Sequence, residues 1–136
     1  MLLNTEMIPY VLSQMEIAKD DLEGCRCLID NDKHRIALNR SYYCVFHCLK
    51  ALCVLYDQNF SKHSGYISYF QREFIKPGIL PKELSKVVTK TKRLRESSDY
   101  GDMMSVDKAT AEDAYMSAEV LYNALYEYIN TQITEL

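Results

Sequence analysis

Four side chains on one stretch have the types and the spacing for chemistry. Arg40, Tyr43, His47 and Lys50 recur at i, i+3, i+7 and i+10. At about 100° per residue they line up on a single stripe of an α-helix. An imidazole with an unperturbed pKa near ~6.5 takes or gives a proton at neutral pH. A guanidinium holds an anion through paired N–H donors and stabilises charge developing on it. Seven residues of helix separate Arg40 from His47 by about 10 Å along the axis. The two flank one anion only if the arginine reaches along the stripe or a second subunit supplies half the site. Two readings stay open at this point. The pair is a site, or it is a local salt-bridge device in which Arg40 meets Asp99 or another carboxylate across the fold.

The element that must position these residues is the most apolar run in the chain, residues 39–55, which has no Gly or Pro. The pattern predicts one helix from about Lys33 to Tyr56. Tyr42, Val45, Leu49, Leu52, Cys53 and Tyr56 form a bulky apolar face. Ala37, Ser41, Cys44, Cys48 and Ala51 form a face of small side chains. A helix polar on one narrow stripe only belongs at the centre of a bundle, packed on two sides.

The remaining segments supply that packing. Ile8, Val11, Met15, Ala18, Leu22, Cys25 and Ile29 repeat at three- and four-residue steps and predict a first helix from Asn4 or Thr5 to Ile29. Pro9 suits only its first turns, and Gly24 suggests a close helix crossing. Asp30-Asn31-Asp32 ends this helix and offers an N-cap for the next. So short a link makes the two antiparallel neighbours. Residues 57–64 read as a connection, with His63 as a polar loop residue and Ser64 as the cap of a short helix to Ile75. That helix points Ile67, Phe70 and Phe74 inward. Lys76 to Pro81 breaks the chain. Pro81 opens a fourth helix with Leu84, Val87, Val88, Thr91 and Leu94 inward, and Ser97 to Asp102 is a turn by composition. Ser105 or Asp107 caps a last helix to about Ile133, with Ala111, Ala114, Ala118, Leu121, Leu125 and Tyr128 as its seam. No period-two pattern occurs. The expectation is an all-α fold, an antiparallel up-and-down helical bundle of four long helices and one short helix, in a single domain spanning residues 1–136.

Sixteen Lys and Arg stand against nineteen Asp and Glu, which argues against a general nucleic-acid coat but leaves room for a local basic patch. Lys82, Lys86, Lys90, Lys92, Arg93 and Arg95 make such a ridge on the fourth helix. It is either a solvated face opposite the acidic last helix or a phosphate-attracting surface. Five cysteines, three on the central helix, do not form a disulfide framework. Neither a zinc ligand set nor another cofactor is expected. The start of the chain lacks a signal-peptide pattern, and no run has the roughly 18–20 apolar residues of a membrane span. A reduced, cytoplasmic setting is the expectation.

Asn39-Arg40-Ser-Tyr-Tyr-Cys-Val-Phe-His47, Phe60-Ser-Lys-His-Ser-Gly65, residues 74–83, and Arg95-Glu-Ser-Ser-Asp-Tyr-Gly-Asp102 together resemble the HEPN family. The resemblance is to its small prokaryotic members. It implies a helical bundle, commonly a homodimer. It also implies a metal-independent endoribonuclease or toxin built around Arg-x(4–6)-His, often paired with a minimal nucleotidyltransferase. On that basis Arg40 and His47 are the candidate catalytic pair. Tyr43, Lys50, Lys92, Arg93, Arg95, Asp99 and Tyr100 are candidate contacts to RNA or nucleotide. In ribonuclease members the motif lies later in the chain. Arg95 to Tyr100 occupies that place here without a histidine, which leaves a second reading: a non-catalytic nucleotide-binding or regulatory subunit of a nucleotidyltransferase.

Overall fold

The computed structural model describes residues 1–100 and 106–136, and the backbone alone at Tyr100. A 3-10 turn at Thr5–Met7 leads into α1 (Ile8–Asp30), followed by α2 (His34–Leu55) and α3 (His63–Phe70). A π turn at Gln71–Ile75 extends α3, and α4 (Glu83–Tyr100) and α5 (Lys108–Thr134) complete the bundle. No strand occurs among the described residues, so the fold is the all-α bundle expected from the periodicity.

α2 is the hub and packs against all four other helices. Its bulky face is buried, and Ala37, Ser41, Cys44, Cys48 and Ala51 are wholly buried on its small-residue face. Arg40, Tyr43, His47 and Lys50 are the partly exposed stripe between. The α1 seam from Val11 to Ile29 and the α5 seam from Ala111 to Ile129 close over the core. Removing so much Leu, Ile, Phe and Tyr surface from water is the main force behind the assembly.

The C-terminal ends of α1 and α2 close in the same way. Asp32 (φ 58°) and Asp57 (φ 61°) take left-handed backbone just past α1 and α2. The following amides reach back to the last helical turn, Lys33 N to Leu28 O at 2.8 Å and Gln58 N to Cys53 O at 2.9 Å. This satisfies carbonyls that a helix end otherwise leaves open.

Several local expectations are corrected. Neither Asp30 nor Asp32 caps α2, whose N-cap Lys33 makes no side-chain cap bond, because Asp32 is used in the backbone reversal. Gly24 marks no helix crossing, since a Cβ there would meet nothing within 4 Å. α4 starts at Glu83, two residues beyond Pro81. Ser97, Ser98 and Asp99 belong to α4: Ser98 Oγ donates to Arg95 O at 2.8 Å, and Arg35 Nε donates to Ser98 O at 2.7 Å. Those bonds supply the partners the end of a helix needs. Gly101, Asp102 and Ser105 lie outside the described residues. Asp107 caps α5, accepting from Thr110 N at 2.8 Å.

Ser64 is not a cap, because α3 already begins at His63 with Lys62 as its N-cap. The reason is close packing. A Cβ on Gly65 would stand 2.6 Å from the Phe60 Cβ, so only glycine lets the loop fold back here. That fold-back brings His63 against the central helix.

Candidate functional site

α1 holds the two ends of the α2 stripe. Arg40 Nη1 donates to Asp21 Oδ1 at 2.9 Å. His47 Nδ1 lies 2.9 Å from Gln14 Oε1, and its Nε2 lies 3.8 Å from Asp21 Oδ2. Gln14 and Asp21 are buried, and Oδ2 of Asp21 is a buried atom with no hydrogen-bond partner among the described residues. Burial pushes the Asp21 carboxyl above its usual value, and Arg40 only partly offsets that cost. Arg40 therefore meets a carboxylate across the fold, but that carboxylate is Asp21 and not Asp99. Sequence reading missed Asp21 and Gln14. The available signal was their seven-residue step along the inward side of α1, matching the seven-residue step from Arg40 to His47.

α3 and α4 build the other half. The His63 ring stacks on Phe46 with centroids 3.7 Å apart. His63 Nδ1 is 2.9 Å from the Tyr42 hydroxyl. The Arg95 guanidinium sits over both tyrosines, 5.2 Å from the Tyr42 ring and 5.3 Å from the Tyr43 ring. Its Nε is 3.2 Å from Asp99 Oδ2, near enough for ionic attraction although not aligned as a hydrogen bond. Asp99 also accepts from Asn39 Nδ2 at 3.3 Å.

Tyr43 joins the halves. Arg40 lies 5.0 Å from its ring centroid, His47 6.3 Å and His63 6.1 Å. Cations held at aromatic faces in this way are attracted by the ring quadrupole. The site is thus rich in positive charge, and its imidazoles respond. Burial, Lys50, Arg40 and His63 hold the His47 pKa below 6.5. Burial, Arg95, Lys50 and Lys92 do the same to His63. Both rings are therefore mainly neutral at pH 7.

Of the candidate residues, Arg40, Tyr43, His47, Lys50, Lys92, Arg95 and Asp99 fall around this ring cluster. Arg93 is exposed on α4 and takes part in none of these contacts. The Tyr100 side chain lies outside the described residues. His63, read from sequence as a loop residue, is an integral member. On the basic ridge, Lys90 pairs with Asp113 of α5 at 2.8 Å, so the acidic last helix neutralises that part of it. A cleft of about 730 Å³ opens beside Arg40 and Asp99, bounded also by His34, Arg35 and Ser98. Among the described residues no three His, Cys, Asp or Glu side chains are grouped to hold a metal ion, and no helix is long and apolar enough to cross a membrane.

The fold and site together define a small all-α domain whose central helix presents cations and an imidazole on one stripe. The chain belongs to the HEPN family: the HEPN domain matches residues 12–128. It is similar to a UPF0332 protein of Thermotoga maritima, 33% identical over 112 residues that cover 82% of this chain and 85% of that one. A protein of Methanocaldococcus jannaschii named a putative toxin is 32% identical over 123 residues, covering 90% of this chain and 87% of the relative. A second protein of that archaeon with the same description is 30% identical over 115 residues, covering 85% and 78%.

Proposed function

We propose that this chain is a toxin-like HEPN protein that binds RNA at the cluster of cations and imidazoles around Tyr43 and cleaves it without a metal ion. The observation that carries this reading is the convergence of two guanidiniums, Arg40 and Arg95, on one tyrosine ring that also neighbours two imidazoles. Arginines hold the phosphodiester, with Lys50 and Lys92 adding charge near it. RNA carries its own nucleophile, the 2′-hydroxyl, so the protein needs to supply only proton transfer and charge stabilisation. The toxin names of the archaeal relatives support the biological class. A homodimer, and a nucleotidyltransferase partner that restrains the activity, follow from the same reading. Incubating purified protein with single-stranded RNA in excess chelator tests it: fragments ending in a 2′,3′-cyclic phosphate are expected, and intact RNA rejects cleavage.

A second reading has its own observation. Arg40 and His47 are both already engaged by α1, through Asp21 and Gln14, as a structural pair would be. A non-catalytic subunit that binds nucleotide or regulates a nucleotidyltransferase fits that arrangement. Stable co-purification with a nucleotidyltransferase, with RNA left intact, selects it.

A further inference from the structure

α4 brings the Arg95 guanidinium over the Tyr42 and Tyr43 rings but carries no histidine of its own. The fold supplies one from elsewhere. His63 arrives from α3, thirty-two residues upstream, and bonds to the same Tyr42 whose ring Arg95 covers. We propose that His63 and Arg95 form the working imidazole–guanidinium pair of this site, with His63 exchanging the proton and Arg95 holding the phosphate. Arg40 and His47 are then positioning residues, fixed by α1. This rests on the RNA-cleavage reading above and names the groups that perform it.

The two imidazoles differ in what their nitrogens face. Both nitrogens of His47 look toward α1, Nδ1 to Gln14 and Nε2 to the unpartnered oxygen of Asp21. A proton taken there is held by Asp21, not passed to a ligand beside Tyr43. His63 commits only Nδ1, to Tyr42. When Nδ1–H donates to the Tyr42 oxygen, the lone pair of Nε2 is left for a substrate. Stacking on Phe46 fixes the plane of the ring, and partial burial leaves it reachable. The groups around it are Tyr42, Tyr43, His47 and Lys50 of α2 and Lys92 and Arg95 of α4. Burial first, and then the positive charge of Arg95, Lys50 and Lys92, hold its pKa below the usual histidine value, which favours the neutral ring that a proton acceptor needs.

In the step itself, Nε2 of His63 takes the 2′-hydroxyl proton as O2′ bonds to the adjacent phosphorus. The P–O5′ bond breaks, O5′ leaves as a hydroxyl with a proton from solvent, and the imidazolium returns its proton to solvent. The products are a 2′,3′-cyclic phosphate and a 5′-hydroxyl, with no net change in protons. Arg95 offsets the charge that builds on the non-bridging oxygens.

The full-length protein, a fluorescent RNA oligonucleotide and chelator provide the test, with kcat/KM followed from about pH 5 to pH 8. Wild type should lose activity as pH falls through the lowered His63 pKa, on the acid side of the ~6.5 of a free imidazole. His63→Ala and His63→Gln should each lose roughly 10²- to 10⁴-fold and show no such acid limb. Free imidazole should restore part of the His63→Ala rate. His47→Gln should lower the rate yet keep the limb. The assignment is overturned if both His63 variants retain the limb, or if His47→Gln abolishes it. Circular dichroism confirms that each variant is folded, and the glutamine variant carries the test if the alanine variant is not. A wild type inert toward RNA fails differently, since it removes the cleavage reading itself.

Discussion

Asp21 serves Arg40 and His47 at once, with one oxygen 2.9 Å from the guanidinium and the other 3.8 Å from the imidazole. Gln14 and Asp21 ascend α1 as His47 and Arg40 descend α2, so antiparallel packing meets equal spacings. The carboxylate gives up hydration to do this, which is why its pKa rises from 3.8.

Replacing Asp21 by Asn should therefore cost little folding stability at pH 7, within about 1 kcal/mol. The pH dependence is more telling. A carboxyl whose folded pKa is raised contributes stability that is complete below its unfolded value and lost as pH rises through the folded value. Wild-type stability should thus fall, relative to Asp21→Asn, as pH climbs from about 4. Urea unfolding of both proteins across that range checks the sign, and an opposite slope refutes burial as the dominant influence.

Gly65→Ala should damage the loop that delivers His63. Its new methyl would press on the Phe60 side chain at 2.6 Å. Overpacking of this kind costs roughly 1–3 kcal/mol. Adding Phe60→Ala should recover part of the loss, a coupling that a double-mutant cycle measures directly.

The thiols should divide four to one. Cys25, Cys44, Cys48 and Cys53 are buried, and Cys27 is exposed. Burial pushes Cys25 and Cys53 up to about 12 and raises Cys48 as well, so little reactive thiolate forms there. A thiol reagent at neutral pH should add one label, on Cys27, with the other four reacting only in denaturant. Intact-mass spectrometry and peptide mapping read the result.

Arg95→Lys should weaken RNA binding by about tenfold, or roughly 1.4 kcal/mol, while preserving the salt dependence of a retained charge. A lysine has no planar fork to lie over Tyr42 and Tyr43. Fluorescence anisotropy at two salt concentrations separates loss of geometry from loss of charge. Unchanged affinity would remove Arg95 from the site.

The sequence by itself determined the bundle, because helix seams at three- and four-residue steps reflect local geometry that any core must obey. Val11 to Ile29 on α1, the three faces of α2 and Ala111 to Leu125 on α5 were all legible for that reason. The stripe of Arg40, Tyr43, His47 and Lys50 was legible too, since one helix carries it. Tertiary structure alone decided who meets it. Asp21 and Gln14 required the register of α1 against α2, and Arg95 required the approach of α4. His63 required a loop folded tightly over Gly65, a close approach that periodicity does not encode. Contacts between distant segments depend on how whole helices slide and cross, and no short stretch of residues contains that information.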